Sequence, residues 1–151
     1  MFQNEYEIVF IIRPDLDDAA TLEVIEKVEV IITENGGHPL TRDDWGKRKL
    51  AYPIKNHLKG HYVLVNFLAP AELIIELERR IRITDAIVRF LTVKRFDFVE
   101  IAPRLEQAAE QRRLREEEAR ARAAAEAASA ERREKAKAEQ AKRDNDEQVS
   151  A

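Results

Sequence analysis

The chain has 151 residues, a formal net charge of −3 and no cysteine. Disulfides, cysteine-ligated zinc and thiol nucleophiles are therefore excluded. All six Phe, all three Tyr and the single Trp fall within residues 1–100, so one core is expected there, followed by a low-complexity Ala/Glu/Arg/Lys tail over 101–151.

Charge is unevenly distributed. Residues 1–40 carry nine acidic and two basic side chains, residues 41–100 eight acidic and twelve basic, and residues 101–151 twelve of each. A near-neutral total thus conceals a basic patch able to meet a polyanion. The start, MFQNEYEIVF, has no basic region ahead of an apolar core, so no secretory signal is read there. No apolar run approaches the length of about 20 residues that spans a bilayer. The expected location is the cytoplasm.

In chain order, EYEIVFII (5–12) reads as a strand rich in β-branched and aromatic residues. Tyr6, Ile8, Phe10 and Ile12 share one face; Glu7, Val9 and Ile11 share the other. Apolar character on both sides marks a central strand. From Asp17 or Asp18 the spacing of Leu22, Ile25, Val28 and Ile32 predicts a helix. Acidic residues at its start suit the helix dipole, and Asn35-Gly36-Gly37 supplies its stop. A weaker, basic strand is expected over about 38–52, then a loop KNHLK. A strong strand follows from Gly60, in HYVLVNFLA. Pro70 opens a second helix with Leu73, Ile74, Leu77 and Ile81 as its buried stripe. AIVRFLTVKRF (86–96) is the last strand.

The order βαββαβ predicts an α+β, ferredoxin-like split βαβ: a four-stranded antiparallel sheet with two helices on one face. In that topology the first and third strands are central, which matches their greater apolarity. The tail favours helix residue by residue but lacks a sustained apolar stripe. A solvated, fraying helix or disorder is expected there, with Pro103 at the boundary.

No constellation for catalysis is present. The chain has neither GxxxxGK nor GxGxxG, so no cofactor is indicated, and serine occurs only in the tail. Asp17-Asp18 and Asp43-Asp44 sit where helix starts and turns want Asp. His57 and His61 are four apart, but Gly60 between them and the strand after it break the helical geometry of a zinc pair. The stretch Lys59-Gly60-His61-Tyr62-Val63-Leu64-Val65-Asn66 begins like the base-stacking strand of an RNA recognition motif. It then places His61, Val63 and Asn66 where aromatics are needed. RNA binding, if present, is expected through backbone charge and shape. The Trp45-Gly46-Lys47-Arg48-Lys49 cluster has a plain reading as edge-strand insulation. The further basic set Arg79, Arg80, Arg82, Arg89, Lys94 and Arg95 favours phosphate contact as well.

The phrases YEIVFIIRPDL, DDWGKRKLAYPIKNHLKGHYVLVNF and LERRIRITDAIVRFLTVK together resemble the bacterial small-subunit ribosomal protein S-six family over residues 1 to about 98. That resemblance implies a non-catalytic structural protein of the small ribosomal subunit. It implies binding to central-domain rRNA together with ribosomal protein S-eighteen, as a heterodimer during assembly. No membrane and no small-molecule substrate are implied. The family's RNA contacts carry over to Lys47, Arg48, Lys49, Arg89, Lys94 and Tyr6. The apolar face formed by Val9, Ile11, Tyr62, Leu64, Leu91 and Val93 lacks a cover of its own; Tyr62, Leu64, Leu91 and Val93 are the expected protein-partner face. The other reading is a free-standing ferredoxin-like regulatory or small-ligand domain. The charged tail departs from the compact members of the family.

Overall fold

The first strand, β1 (Phe2–Ile12), sits in the middle of a four-stranded antiparallel sheet of a computed structural model that describes residues 1–149, with side chains through residue 140. It is followed by α1 (Asp18–Glu34), β2 (His38–Ile54), β3 (His57–Ala69), α2 (Ala71–Arg82), β4 (Ile87–Glu100) and α3 (Ile101–Val149). The strand order is β2-β3-β1-β4. This is the ferredoxin-like split βαβ with β1 and β3 central and β2 and β4 at the edges, as the apolar pattern requires.

One face of the sheet carries α1 and α2. Tyr6, Ile8, Phe10 and Ile12 of β1 and Val63, Val65, Phe67 and Ala69 of β3 project into it. They meet Val24, Ile25, Val28 and Ile32 of α1 and Leu73, Leu77 and Ile81 of α2. Each side chain belongs to the period its element dictates, two in the strands and 3.6 in the helices. Leu22, a member of the α1 stripe by sequence spacing, is 44% exposed. Thr21 and Val24 occupy the buried positions instead, because a stripe running through Val28 and Ile32 takes i−4 and i−7 rather than i−6.

The helix ends are set by local chemistry. The Asp17 side chain accepts a hydrogen bond from the Ala20 amide at 2.7 Å, the N-cap arrangement that satisfies an orphan donor. At the other end Gly36 has φ +82°. Its amide donates to the Thr33 carbonyl and that of Gly37 to the Ile32 carbonyl, the pair of bonds of a Schellman cap. Pro70 lies at the N-cap of α2 rather than inside it.

Two departures from the expected elements matter for function. The segment KNHLK is a two-residue turn with both Lys55 and Asn56 at positive φ, and β3 already begins at His57. Both residues at positive φ give the primed turn whose twist suits a hairpin, so β2 and β3 form one long hairpin. The second departure is α3. Ile101 and Ala108 are buried, with Leu105 packed beside them, against Leu40 and Leu68 on the face opposite α1 and α2. The spacing 101, 105, 108 is a two-turn apolar stripe, too short to register in the composition of the tail. Pro103 falls in the first turn of α3, where its missing N–H costs nothing.

The chain divides into two compact units, Met1–Ala109 and one starting at Glu110; composition alone draws the boundary at residue 100. In the second unit the described residues are helical, and every side chain from 110 to 140 is exposed. Glu131 and Lys135 pair there at 2.7 Å, four residues apart, the spacing that supports an unpacked helix. Among the described residues no helix is long and apolar enough to cross a membrane.

Candidate nucleic-acid interface

Alternation along β2 divides its basic cluster. Arg48 pairs with Gly60 of β3, while Lys47 pairs with His61 and Lys49 with Lys59. Successive side chains of a strand point to opposite faces, so Lys47 and Lys49 share one face with Lys59 and Arg48 lies on the other. All three are exposed. Lys47, Lys49, Lys55 and Lys59 have no carboxylate partner among the described residues. The long hairpin is thus a rod carrying uncompensated ammonium groups.

Arg48 belongs to a different arrangement. Its guanidinium lies 5.3 Å from the Trp45 ring centroid, and Trp45 stacks on Tyr62 at 6.3 Å with the rings 19° apart. Arg48 also donates to the Trp45 carbonyl at 3.4 Å. The backbone of Gly60 permits the hairpin to lie this close: a Cβ there would meet Ile11 Cγ2 at 2.3 Å. Behind it Leu50, Ile11 and Val88 make a small second core on the open face. The end of the hairpin therefore bends over the sheet toward β4. There the Arg89 guanidinium donates to the Tyr52 hydroxyl at 2.7 Å and lies 6.0 Å from its ring centroid.

Four further basic side chains, Arg79, Arg80, Lys94 and Arg95, are compensated. Arg79 and Arg80 both hydrogen-bond Glu76 at 2.6–2.8 Å. These bonds hold the Glu76 carboxyl down to about 2 and raise both guanidinium pKa values. Arg80 also reaches Glu34 at 3.3 Å, and Arg95 reaches Glu7 at 3.5 Å. Lys94 pairs with Asp97 at 2.8 Å, a hydrogen bond that raises its pKa.

Tyr6 does not join the basic residues. It is 7% exposed, stacks on Phe67 at 5.9 Å and lies inside the core beneath the helices. The histidines are separate as well. His61 shares a 2.6 Å hydrogen bond with Asp44, whose same oxygen accepts the Gly46 amide at 2.8 Å and so shapes the irregularity in β2 at that point. His57 begins β3 beside the turn.

The face opposite α1 and α2 is apolar across its middle. Val9 pairs with Leu64 and Leu91, and Ile11 with Tyr62 and Arg89. Tyr62 and Leu64 are half-buried, whereas Leu91 is 64% and Val93 42% exposed. Val9, Ile11 and Leu91 line a depression of about 210 Å³. The first turns of α3 cover one end of this face and the hairpin covers the other. At the far end of β4, Phe96 and Phe98 are also exposed. Sequence reasoning misses Lys55 and Lys59 as members of the hairpin surface because their segment reads as a loop. It misses Tyr52 because an aromatic before proline reads equally well as a strand end.

Comparison with known proteins agrees with this architecture. The family model described as Ribosomal protein S6 matches residues 5–94. The small ribosomal subunit protein bS6 of Desulfitobacterium hafniense is 46% identical over 92 residues, covering 61% of this chain and 97% of that one. The bS6 of Clostridium novyi is 50% identical over 90 residues, covering 60% and 95%. The crystal structure of 30S ribosomal protein S6 from Thermotoga maritima superposes with a TM-score of 0.60 at 28% identity, covering 75% of this chain and 98% of that one. A match over residues 5–94, which spans α1, β2, β3 and α2 and most of β1 and β4, shows that the chain belongs to the ribosomal protein S6 family, structural and non-enzymatic proteins of the small ribosomal subunit.

Proposed function

We propose that this chain binds small-subunit rRNA, in its central domain, together with ribosomal protein S-eighteen, with which it forms a heterodimer during assembly. The hairpin meets the RNA through phosphates. The open sheet face, with Tyr62, Leu64, Leu91 and Val93, receives the protein partner. The observation that carries the RNA half is the contrast in compensation. Lys47 and Lys49 stand on an exposed hairpin without a carboxylate among the described residues, whereas Arg79, Arg80, Lys94 and Arg95 are each neutralised within hydrogen-bond or ion-pair distance. An edge strand needs some lysine as insulation, but ammonium groups without an intramolecular partner are also free to neutralise phosphate. Arg48 and Arg89, each held against an aromatic ring, present guanidinium groups in fixed positions. Lys94 keeps its charge, yet Asp97 must be displaced before it can serve a phosphate.

The protein half rests on exposed apolar surface. Leu91 and Val93 stand on the same face as half-buried Tyr62 and Leu64; α1 and α2 cover the other side, and α3 reaches only one end of this one. Burying such a strip against a partner is favourable at about 25 cal/mol per Å².

The test is binding of a central-domain rRNA fragment, with and without S-eighteen, to the wild type and to the triple variant Lys47→Glu, Arg48→Glu, Lys49→Glu. Every phosphate that the variant no longer neutralises should reduce the slope of log affinity against log salt by about 0.7–0.9. Unchanged affinity and an unchanged slope would reduce the cluster to edge insulation. Leu64→Ala and Leu91→Ala should weaken the heterodimer without altering the RNA salt slope.

A further inference from the structure

A second basic constellation lies where α2, β4 and the hairpin turn come together. Lys55, Arg82 and Arg89 line a recess of about 270 Å³, with Ile81, Ile87 and Phe90 among its walls. The three cations come from three separate parts of the chain: the turn between β2 and β3, the last residue of α2, and the start of β4. Two are braced by aromatics. The Arg82 guanidinium lies 5.8 Å from the Phe90 ring centroid, and Arg89 is tied to the Tyr52 hydroxyl at 2.7 Å. Their compensation is poor. Arg82 has Glu78 at 3.9 Å, and Lys55 has no carboxylate partner among the described residues.

The favourable position of Arg82 at the C-terminal end of α2 explains that one cation. It does not explain Lys55, which the hairpin delivers to the same recess at a backbone φ of +46°. Like charges gathered at one concavity repel unless an anion joins them. The recess is smaller than the roughly 300–1,000 Å³ of small-molecule sites, so it suits one anionic group rather than a whole free ligand. Arg offers planar, multidentate geometry to phosphate and Lys a point charge.

We infer that Lys55, Arg82 and Arg89 together hold a single phosphodiester group of the RNA backbone in this recess. The inference rests on the rRNA reading proposed above and adds to it a defined site at the hairpin turn, distinct from Lys47, Lys49 and Lys59 along its strands. A single shared phosphate has a signature that scattered surface charge lacks. Salt dependence counts phosphates neutralised, not cations removed. The triple variant Lys55→Gln, Arg82→Gln, Arg89→Gln should therefore lower the salt slope by only about 0.7–0.9, the value for one phosphate, although three cations are lost, whereas Lys47→Gln, Lys49→Gln should lower it by about twice that.

The measurement is the affinity of a central-domain rRNA fragment, with S-eighteen present, across a salt series. The expected result is a loss of about two- to fivefold for Arg82→Gln, the scale of one exposed charge contact. The combined loss for Lys55→Gln with Arg82→Gln should differ from the product of the single losses, because both act on one group. The pair Lys47→Gln and Arg82→Gln should multiply. Wild-type binding that Lys55→Gln and Arg82→Gln leave unaltered would overturn the recess while leaving the rRNA reading standing. An absence of rRNA binding by the wild type would overturn both. ATP and inorganic phosphate, titrated while the amide signals of residues 55, 82 and 89 are followed by NMR, should bind only weakly. Saturation at micromolar ATP that is lost in Arg82→Gln, with rRNA affinity unchanged, would assign the recess to a free phosphorylated ligand instead.

Discussion

Arg104 offers the sharpest test of how α3 is joined to the sheet. Its guanidinium donates to both oxygens of Glu5, at 2.8 and 2.9 Å. Glu5 is a central-strand carboxylate only 5% exposed; the Arg104 side chain is 20% exposed. The hydrogen bond to Glu5 raises the Arg104 pKa further above its already high value, so the guanidinium stays charged throughout the working pH range. Removing one member of a buried pair costs about 3–5 kcal/mol when the other charge is left without water. The partial exposure of Arg104 lets water replace some of that loss, so Arg104→Ala should cost about 2–3 kcal/mol. For a unit of this size that is a fall in Tm of about 10–15 °C. Trp45, the single Trp, sits on the sheet against Tyr62, so its fluorescence follows this unit without contribution from the long helix. Replacing both partners, Glu5→Met with Arg104→Leu, should recover most of the loss, because an apolar pair carries no desolvation penalty. A change below about 0.5 kcal/mol in Arg104→Ala, in the range of ordinary surface substitutions, would refute the view that this pair fastens the start of α3.

Two further outcomes follow from local geometry. Gly60→Ala should destabilise by about 1–3 kcal/mol in urea unfolding, because the new methyl would have to displace Ile11 Cγ2, 2.3 Å away; an unaltered midpoint would show that the hairpin does not need its close seat on β1. Glu76 has a folded-state pKa depressed from 4.5 to about 2, chiefly by its hydrogen bonds to Arg79 and Arg80, so its contribution is present above pH 4.5 and is lost as pH falls toward 2. Glu76→Gln should flatten the urea midpoint against pH in that window, and more so at low salt; parallel pH profiles for the two proteins would remove the linkage.

The fold is legible because its signals are periodic and long. Eight alternating residues from Glu5 to Ile12 identify a strand apolar on both sides, and only a central strand can be so. Asp17 and Asn35-Gly36-Gly37 bracket α1 by capping chemistry that does not depend on tertiary context. Illegible features are those decided by few residues or by partners far away. The turn at Lys55-Asn56 lacks the Asn-Gly or Asp-Gly pair that announces a two-residue hairpin, so it passes for a loop. Ile101, Leu105 and Ala108 form a stripe of two turns inside a tail that is otherwise charged, and nothing in the sequence says that Leu40 and Leu68 await it. Tyr6 shows the converse. Its alternation with Ile8 and Phe10 points inward, the family resemblance points to RNA, and its burial follows the alternation.

The surface is the least legible part, because a sequence counts charges but does not pair them. Arg79, Arg80, Arg95 and Lys94 read from sequence, with Arg82 and Arg89, as a second basic set near the last strand. In the folded chain each of the first four meets a carboxylate from its own helix, a neighbouring helix or strand, or the end of its own strand. An RNA phosphate must displace that carboxylate before it gains the cation, so much of the attraction is offset by the pair that is broken. Lys47, Lys49, Lys55 and Lys59, which have no carboxylate partner among the described residues, would need no such exchange on the proposed RNA; only counterions and water would be released. Equal numbers of Arg and Lys on two parts of one surface therefore differ in what they can do. The hairpin carries the free charge because its strands present few acids to oppose it, and the bend over Ile11 sets the end of that hairpin against Arg89 of β4. The close approach at Gly60 thus connects the packing of the open face to the placement of charge: a chain that could not seat the hairpin there would keep every basic residue and lose their arrangement.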